Sequence, residues 1–336
     1  MNAMRALPIA IVLGVAAFQV ARPAAQDQDQ EKGGDIRIQP VRGNVYMLVG
    51  DGANVTVQVE PPNTEDTHDS RYGGDRGVLI VDTGVAGMSE KLLAVVRQLS
   101  KGPIRYIVNT SADADHTGGN ERLVKAGTVV RAAQGGGSNT PGGTPLMVLA
   151  HEHVLARMSA PSGRQAPTPL DAWPTDTFLT DKELFFNGES IQILHQPAAH
   201  TDGDSIVYLR RSDVIAAGDV FSTVGFPPID AEKGGHIQGV IDGLLRILDL
   251  AIPGEKEEGG TMIVPGHGRL SDEADVEFYR EMVTIVRDRI QDMVNKTLSI
   301  DQVKAARPTL EYDRRYSKAP WTSDAFVDAV YRDLRR

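Results

Sequence analysis

The chain has 336 residues, 41% hydrophobic and 24% charged, a globular composition that excludes a disordered or collagen-like chain. Its 35 Lys and Arg against 45 Asp and Glu give a net charge of -10, which argues against nucleic acid or an anionic membrane surface as the main partner. There is no cysteine, so disulfides, thiolate metal sites, cysteine nucleophiles and lipoprotein anchors are excluded together. Any metal must be held by His, Asp and Glu.

Residues 1–25 read as a secretory signal: Arg5, an apolar run over 6–20, then the small residues Ala24 and Ala25 for cleavage. The run falls short of the roughly 20 apolar residues of a spanning helix. An exported, periplasmic or extracellular protein with no stable membrane anchor after cleavage is expected, and an uncleaved anchor is the alternative. Residues 26–35 form a polar, flexible leader.

Short apolar runs at 36–41, 44–49, 55–59 and 78–81 read as strands, interrupted by a polar loop at 61–76. Helical spacing of Met88, Leu92, Val95, Val96 and Leu99 predicts a helix over 88–99. A strand at 104–108, a helix at 120–126 and a strand at 128–131 follow, then a Gly-, Asn-, Thr- and Pro-rich loop at 134–145. Strand 146–150 leads to a short helix at 152–158, and a Pro-rich linker covers 160–174. Strands are expected again at 183–187, 190–195, 205–209, 214–217 and 261–264, with a helix at 237–250. The tail is helical, at 274–297, 300–306 and 323–334, with Asp301 and Ser323 placed to cap two of these helices. Two β-rich halves alternating with helices suit a four-layer α/β/β/α sandwich; periodicity alone also allows a three-layer α/β fold.

Four polar clusters lie just past hydrophobic runs, each with a glycine: Asp113-Ala-Asp115-His116-Thr-Gly-Gly, Ala199-His200-Thr-Asp-Gly-Asp204, Gly218-Asp219 and Pro265-Gly-His267-Gly. Loops at strand ends are where α/β proteins carry chemistry. His and carboxylate ligands from several loops are what a catalytic zinc or iron site needs. Ordinary turn formation explains one such loop but not four in order.

Together with Val81-Asp-Thr-Gly84, these motifs make residues 36–270 resemble the metallo-β-lactamase superfamily. The resemblance implies an α+β, four-layer α/β/β/α sandwich, here with a helical C-terminal extension over 271–336. It implies that Asp115, His116 and His267 serve one metal site and His200 the other. Asp219 would bridge the two, and Asp82 would be a buried carboxylate supporting the ligands. The usual family loop is His-x-His-x-Asp-His, whereas this chain has Ser111-x-Asp113-x-Asp115-His116. The first site would therefore keep Asp113, His200 and Asp219. Zn²⁺ is the expected cofactor, at one or two sites, with Fe or Mn an option at the oxygen-rich first site. Asp115 and Asp113 are the candidate catalytic residues, Asp113 as a general base toward water.

His195 is read as a structural histidine near the site, His151 and His153 as structural or capping residues facing apart, and His236 and His68 as surface loop residues. Phe221 and Phe226 are candidate walls of a substrate pocket, with packing as the plainer reading. The helix at 274–297 is a packing or homodimer element. The expected function is exported metal-dependent hydrolysis of an ester, thioester, lactone or amide, β-lactams included, in a small-molecule substrate. The alternatives are iron-dependent oxygen chemistry on a sulfur substrate, and a degenerate member that binds without turnover.

Overall fold

Two β-sheets form the centre of the computed structural model, which describes residues 34–61, 76–133, 146–160, 168–256 and 259–336, with 128–133 through their backbone alone. The signal, most of the leader, His68 and the Gly-rich segment lie outside the described residues. Strands β1 (Arg37–Arg42), β2 (Val45–Val49), β3 (Val55–Gln58), β4 (Val78–Val81), β5 (Ile104–Val108), β6 (Met147–His151) and β7 (Asp176–Phe178) form the first sheet in chain order. Its pairing is antiparallel up to β4 and parallel from there. The second sheet has the order β12 (Met262–Val264), β11 (Val214–Ala216), β10 (Asp204–Leu209), β9 (Glu189–Gln196), β8 (Lys182–Phe186). Only its β11–β12 pair is parallel.

Side-chain alternation along the strands builds the layers. In β4, Leu79 and Val81 pack between the sheets against Val207, Leu209 and Val264, while Val78 and Ile80 pack outward with Leu92 and Val96. Those two leucine and valine residues belong to α1 (Ser89–Leu99), which shares the outer face with Leu123 of α3 (Asn120–Ala133). In β10, Ile206 faces the opposite way from Val207, toward Val240, Leu244 and Ile247 of α5 (Ile237–Leu250). The result is the α/β/β/α sandwich, with one core cluster between the sheets, one outside each, and a fourth, small one of Ala150, Val154, Met158 and Ala172.

The remaining helices are α2 (Ala114–Thr117), α4 (Glu152–Ser159), α6 (Glu273–Asn295), α7 (Ile300–Ala305), α8 (Asp313–Tyr316) and α9 (Ser323–Asp333). The helical tail is not an appendage. Val276, Tyr279 and Val283 of α6 and Phe326 and Val330 of α9 complete the core outside the second sheet.

Several expectations need correction. Residues 128–131 are the last turns of α3 rather than a strand: the β preference of Thr-Val-Val is a weak prior against an established helical hydrogen-bond ladder. Residues 176–178, to which the sequence reading assigns no element, form β7 by pairing with β6. The caps of α7 and α9 are Ser299 and Thr322, not Asp301 and Ser323. Ser299 makes a reciprocal capping box with Gln302. Phe221 and Phe226 do not wall a pocket. Both are buried, Phe221 edge-on to Tyr279 and Phe226 stacked on Phe326 at 4.7 Å.

That stack sets a test of the tail's structural role. Phe326→Ala is expected to destabilise the protein by about 3–5 kcal/mol, measured by urea unfolding. A loss below about 1 kcal/mol would show the tail to be loosely docked.

Candidate metal centre

Strand β4 ends at Val81, and Asp82 then takes a left-handed conformation, φ 60°, which turns the chain sharply and is uncommon for a residue with a side chain. Its buried carboxylate accepts the Thr110 N–H (2.8 Å) through Oδ1, and the Thr110 hydroxyl (2.6 Å) through Oδ2. Oδ2 also meets His116 Nδ1 at 2.8 Å. With Nδ1–H donated to Asp82, His116 turns Nε2 inward as an acceptor. Asp82 thus sits behind the ligands. The loop after β5 is held by Asn120, whose side chain bonds Thr83, Asn109 and the Ala172 carbonyl. Ser111 is buried, and its hydroxyl accepts the Asp113 N–H at 3.3 Å.

The four loops converge. Asp115, His116 and His267 place ligand atoms within 4.8 Å of one another, and Asp113, His200 and Asp219 form a second such group. Asp219 links them: Oδ2 stands 3.1 Å from His116 Nε2 and 3.6 Å from His200 Nδ1, and Oδ1 stands 3.3 Å from His267 Nε2. His267 Nε2 is also 3.4 Å from Asp115 Oδ2, and His200 Nε2 is 3.4 Å from Asp113 Oδ2. The six residues proposed as ligands are therefore gathered in one place. Glycine makes this possible at Gly218 (φ 52°), where a Cβ would lie 2.6 Å from the Thr110 hydroxyl, and at Gly266, where it would lie 2.7 Å from Asp219 Oδ1. Asn54 fixes the His267 loop by donating to the Pro265 and Gly268 carbonyls at 2.9 and 3.0 Å.

Two buried ring nitrogens, His116 Nε2 and His200 Nδ1, have no hydrogen-bond partner. The first faces a carboxylate oxygen, so two acceptors meet at 3.1 Å without a donor between them. A buried acceptor pair of this kind needs a cation. These residues fit a divalent metal in both groups, by position and by donor type. Without metal, protons substitute. Burial opposes charge on His116, but Asp219 and Asp82 outweigh it and raise its pKa well above the usual value. Burial likewise opposes charge on His267, yet Asp115 and Asp219 carry it up to about 9. The Asp219 carboxyl is pushed up by burial and pulled down further by His116, His267 and His200, ending well below the carboxylate range. Asp204, buried behind His200, is raised to about 6 by desolvation.

The other described histidines lie outside the two groups and make structural contacts. His151 caps α4, accepting the His153 N–H, and its ring stacks on His195 at 3.7 Å. His151 and His153 do not face apart, because His151 is an extended N-cap rather than a helical residue. Their rings meet edge-on at 4.8 Å. His195 Nε2 and the Asp202 carbonyl lie 2.9 Å apart. His236 caps α5 and lies 3.3 Å from the buried Asp333. Sequence reasoning missed Thr110, Asn120 and Lys233. The ammonium of Lys233 reaches Asp230 at 2.9 Å and Asp113 at 3.4 Å. Thr110 stood inside the polar loop and was open to notice; nothing in the order of residues links Lys233 to Asp113. Beside His200 lies a cleft of about 540 Å³, lined in part by Ile229, Trp321, Ala325 and Arg332.

This sandwich, with its candidate ligands in four strand-end loops, defines a metallo-hydrolase architecture. A sequence model of the metallo-beta-lactamase superfamily matches residues 70–271, and the chain belongs to that superfamily. It is 26% identical over 254 residues to the linear primary-alkylsulfatase of Pseudomonas sp. (strain ATCC 19151), covering 68% of this chain and 47% of that protein. It is also similar in structure to a stereoselective inverting sec-alkylsulfatase from Pseudomonas sp., with TM-score 0.57 and 17% identity over 88% of this chain and 50% of that one. A metallo-beta-lactamase from Pontibacter korlensis matches with TM-score 0.54 and 15% identity, over 74% of this chain and 99% of that one. The chain spans about half the length of these alkylsulfatases.

Two outcomes follow. Asp82→Asn is expected to weaken metal binding by about 10- to 100-fold, measured by competition with a chromophoric chelator. Because ligation needs neutral rings, metal binding should release protons and strengthen as pH rises toward about 9, the value of His267. The sign for stability is opposite: the metal-free protein keeps the His267 contribution in full below the unfolded value near 6.5 and loses it as pH rises through about 9. Calorimetry in buffers of different ionisation enthalpy reads the proton count, and none released would contradict the assignment.

Proposed function

We propose that this protein is an exported metal-dependent hydrolase that directs water onto an ester-type bond of a small molecule, with zinc as the working metal. The sulfate ester of an alkanol is the first substrate class to test. The observation that carries the reading is the pair of ligand groups joined by the buried Asp219, with two ring nitrogens left without partners inside them. A metal held there supplies Lewis acidity and lowers the pKa of water toward about 7. Asp115 and His267, both partly exposed, lie on the accessible side of the centre, and Asp113 is within reach as a base toward water.

Three points favour a sulfate ester over a β-lactam. A relative by sequence is an alkylsulfatase. The cleft beside His200, with Trp321 and Ala325 contributed by the helical tail, offers an apolar wall for an organic group. The loop change that replaces imidazoles by Ser111 and Asp113 leaves harder oxygen donors at one site. The apolar start of the chain supports export, and the net charge of -10 supports a small-molecule substrate over nucleic acid. No described helix is long and apolar enough to cross a membrane. Homodimer formation through α6 stays with the proposal.

Zinc-loaded protein should release sulfate from a medium-chain alkyl sulfate, read by ion chromatography, with p-nitrophenyl carboxylates and a chromogenic cephalosporin as comparisons. Asp115→Ala is expected to lower kcat by about 100-fold or more. Hydrolysis unchanged in Asp115→Ala, or turnover confined to the cephalosporin, would overturn the corresponding part of the reading.

A further inference from the structure

The candidate site in which Ser111 and Asp113 replace two imidazoles holds something the other does not: a neighbouring cation. Lys233 reaches Asp113 Oδ1 at 3.4 Å, while the other oxygen of the same carboxylate faces His200 Nε2, also at 3.4 Å. Asp113 is thus shared between the ammonium and the space where a metal held by Asp113, His200 and Asp219 would sit. The Asp115, His116 and His267 group has no such neighbour among the ion pairs of the described residues.

The backbone around Lys233 is clamped to the same loop that carries His200. The Lys233 carbonyl accepts the Asp202 N–H and the Arg157 guanidinium, each at 2.9 Å. The carboxylate of Asp202 pairs with Arg157 and with His153. Asp230, which pairs with the Lys233 ammonium, donates its own N–H to the His200 carbonyl at 2.9 Å. Gly235 lies so close that a Cβ there would stand 2.1 Å from the His200 carbonyl oxygen. The ammonium is therefore carried on a turn that is bonded to the ligand loop at several points, not on a free surface segment.

We propose that Lys233 makes the two metal sites unequal: its ammonium competes for Asp113 and repels a second cation, so that the Asp115/His116/His267 site fills first and the Asp113/His200/Asp219 site binds metal weakly. The proposal rests on reading these residues as metal ligands. Two effects act in the same direction. A carboxylate already paired with an ammonium is a poorer donor to a metal, and like charges a few ångströms apart in a partly buried site repel strongly. Ser111 adds no compensating ligand charge, being neutral and engaged with the Asp113 N–H. Lys233 also supplies positive charge beside Asp113 without a second metal, so one bound ion leaves the centre partly neutralised.

The test is a titration of the metal-stripped full chain with Co²⁺ alone, followed by visible absorption and calorimetry. The unaltered protein should take one equivalent tightly and a second at least about tenfold more weakly. Lys233→Met should narrow that gap by about tenfold or more, leaving the tight equivalent unchanged, which also shows that the variant is folded. Lys233→Arg, which keeps the charge, should preserve the gap, and Asp113→Ala should abolish the weak equivalent only. Two indistinguishable equivalents in the unaltered protein, or a gap unmoved by Lys233→Met, would overturn the proposal while leaving the hydrolase reading standing. No Co²⁺ bound by any form would overturn both.

Discussion

A buried carboxylate set among three imidazoles governs this structure. Asp219 is 8% exposed and touches His116, His200 and His267. Such a group is costly to bury unless charge is returned to it, and here the charge comes either from protons on His116 and His267 or from a metal. The first option leaves His116 Nε2 facing an oxygen without a good hydrogen bond. The second would return positive charge to Asp219 and give the inward nitrogens of His116 and His267 a common partner with it. Charge compensation at Asp219 is thus the reason these loops belong together.

The fold serves that convergence. The parallel pairs β4–β5 and β11–β12 send Asp82, the Asp113–His116 segment, Asp219 and His267 out of neighbouring strand ends, and the β9–β10 connection adds His200. All but the Asp219 loop are then held by a polar side chain outside the candidate ligand set: Thr110 on Asp82, Asn120 across Thr83 and Asn109, Asn54 on the His267 loop, and Asp204 on Thr201. Rigid support of this kind is what keeps ligand atoms in place before a metal arrives. The helical tail contributes at a distance. By completing the core over the second sheet it brings Trp321 and Ala325 to the cleft beside His200.

The candidate ligands were legible because each pairs a rare, chemically committed residue type with a glycine just past an apolar run; His116, His200 and His267 stand out on that basis. The sandwich was legible from strand alternation and from helices as regular as α5, whose bounds agree with its apolar period. What stayed hidden depends on pairing between distant segments. β7 is too short to declare itself without β6 beside it. Phe221 and Phe226 follow a ligand in sequence but turn into the core, since Tyr279 and Phe326 arrive from the tail to receive them. Lys233 meets Asp113 across 120 positions of sequence, with no motif to announce it. The His151–His153 contact is hidden in the same way, because spacing along a helix does not describe a residue that caps it.

The central claim is that these six side chains hold metal. Anomalous diffraction at the zinc edge, from crystals of zinc-loaded protein, tests it most directly. The account predicts a strong peak among Asp115, His116 and His267, with Asp219 at its edge, and a weaker one among Asp113, His200 and Asp219. Zinc bound elsewhere on the chain, with these side chains paired only with one another, would contradict it.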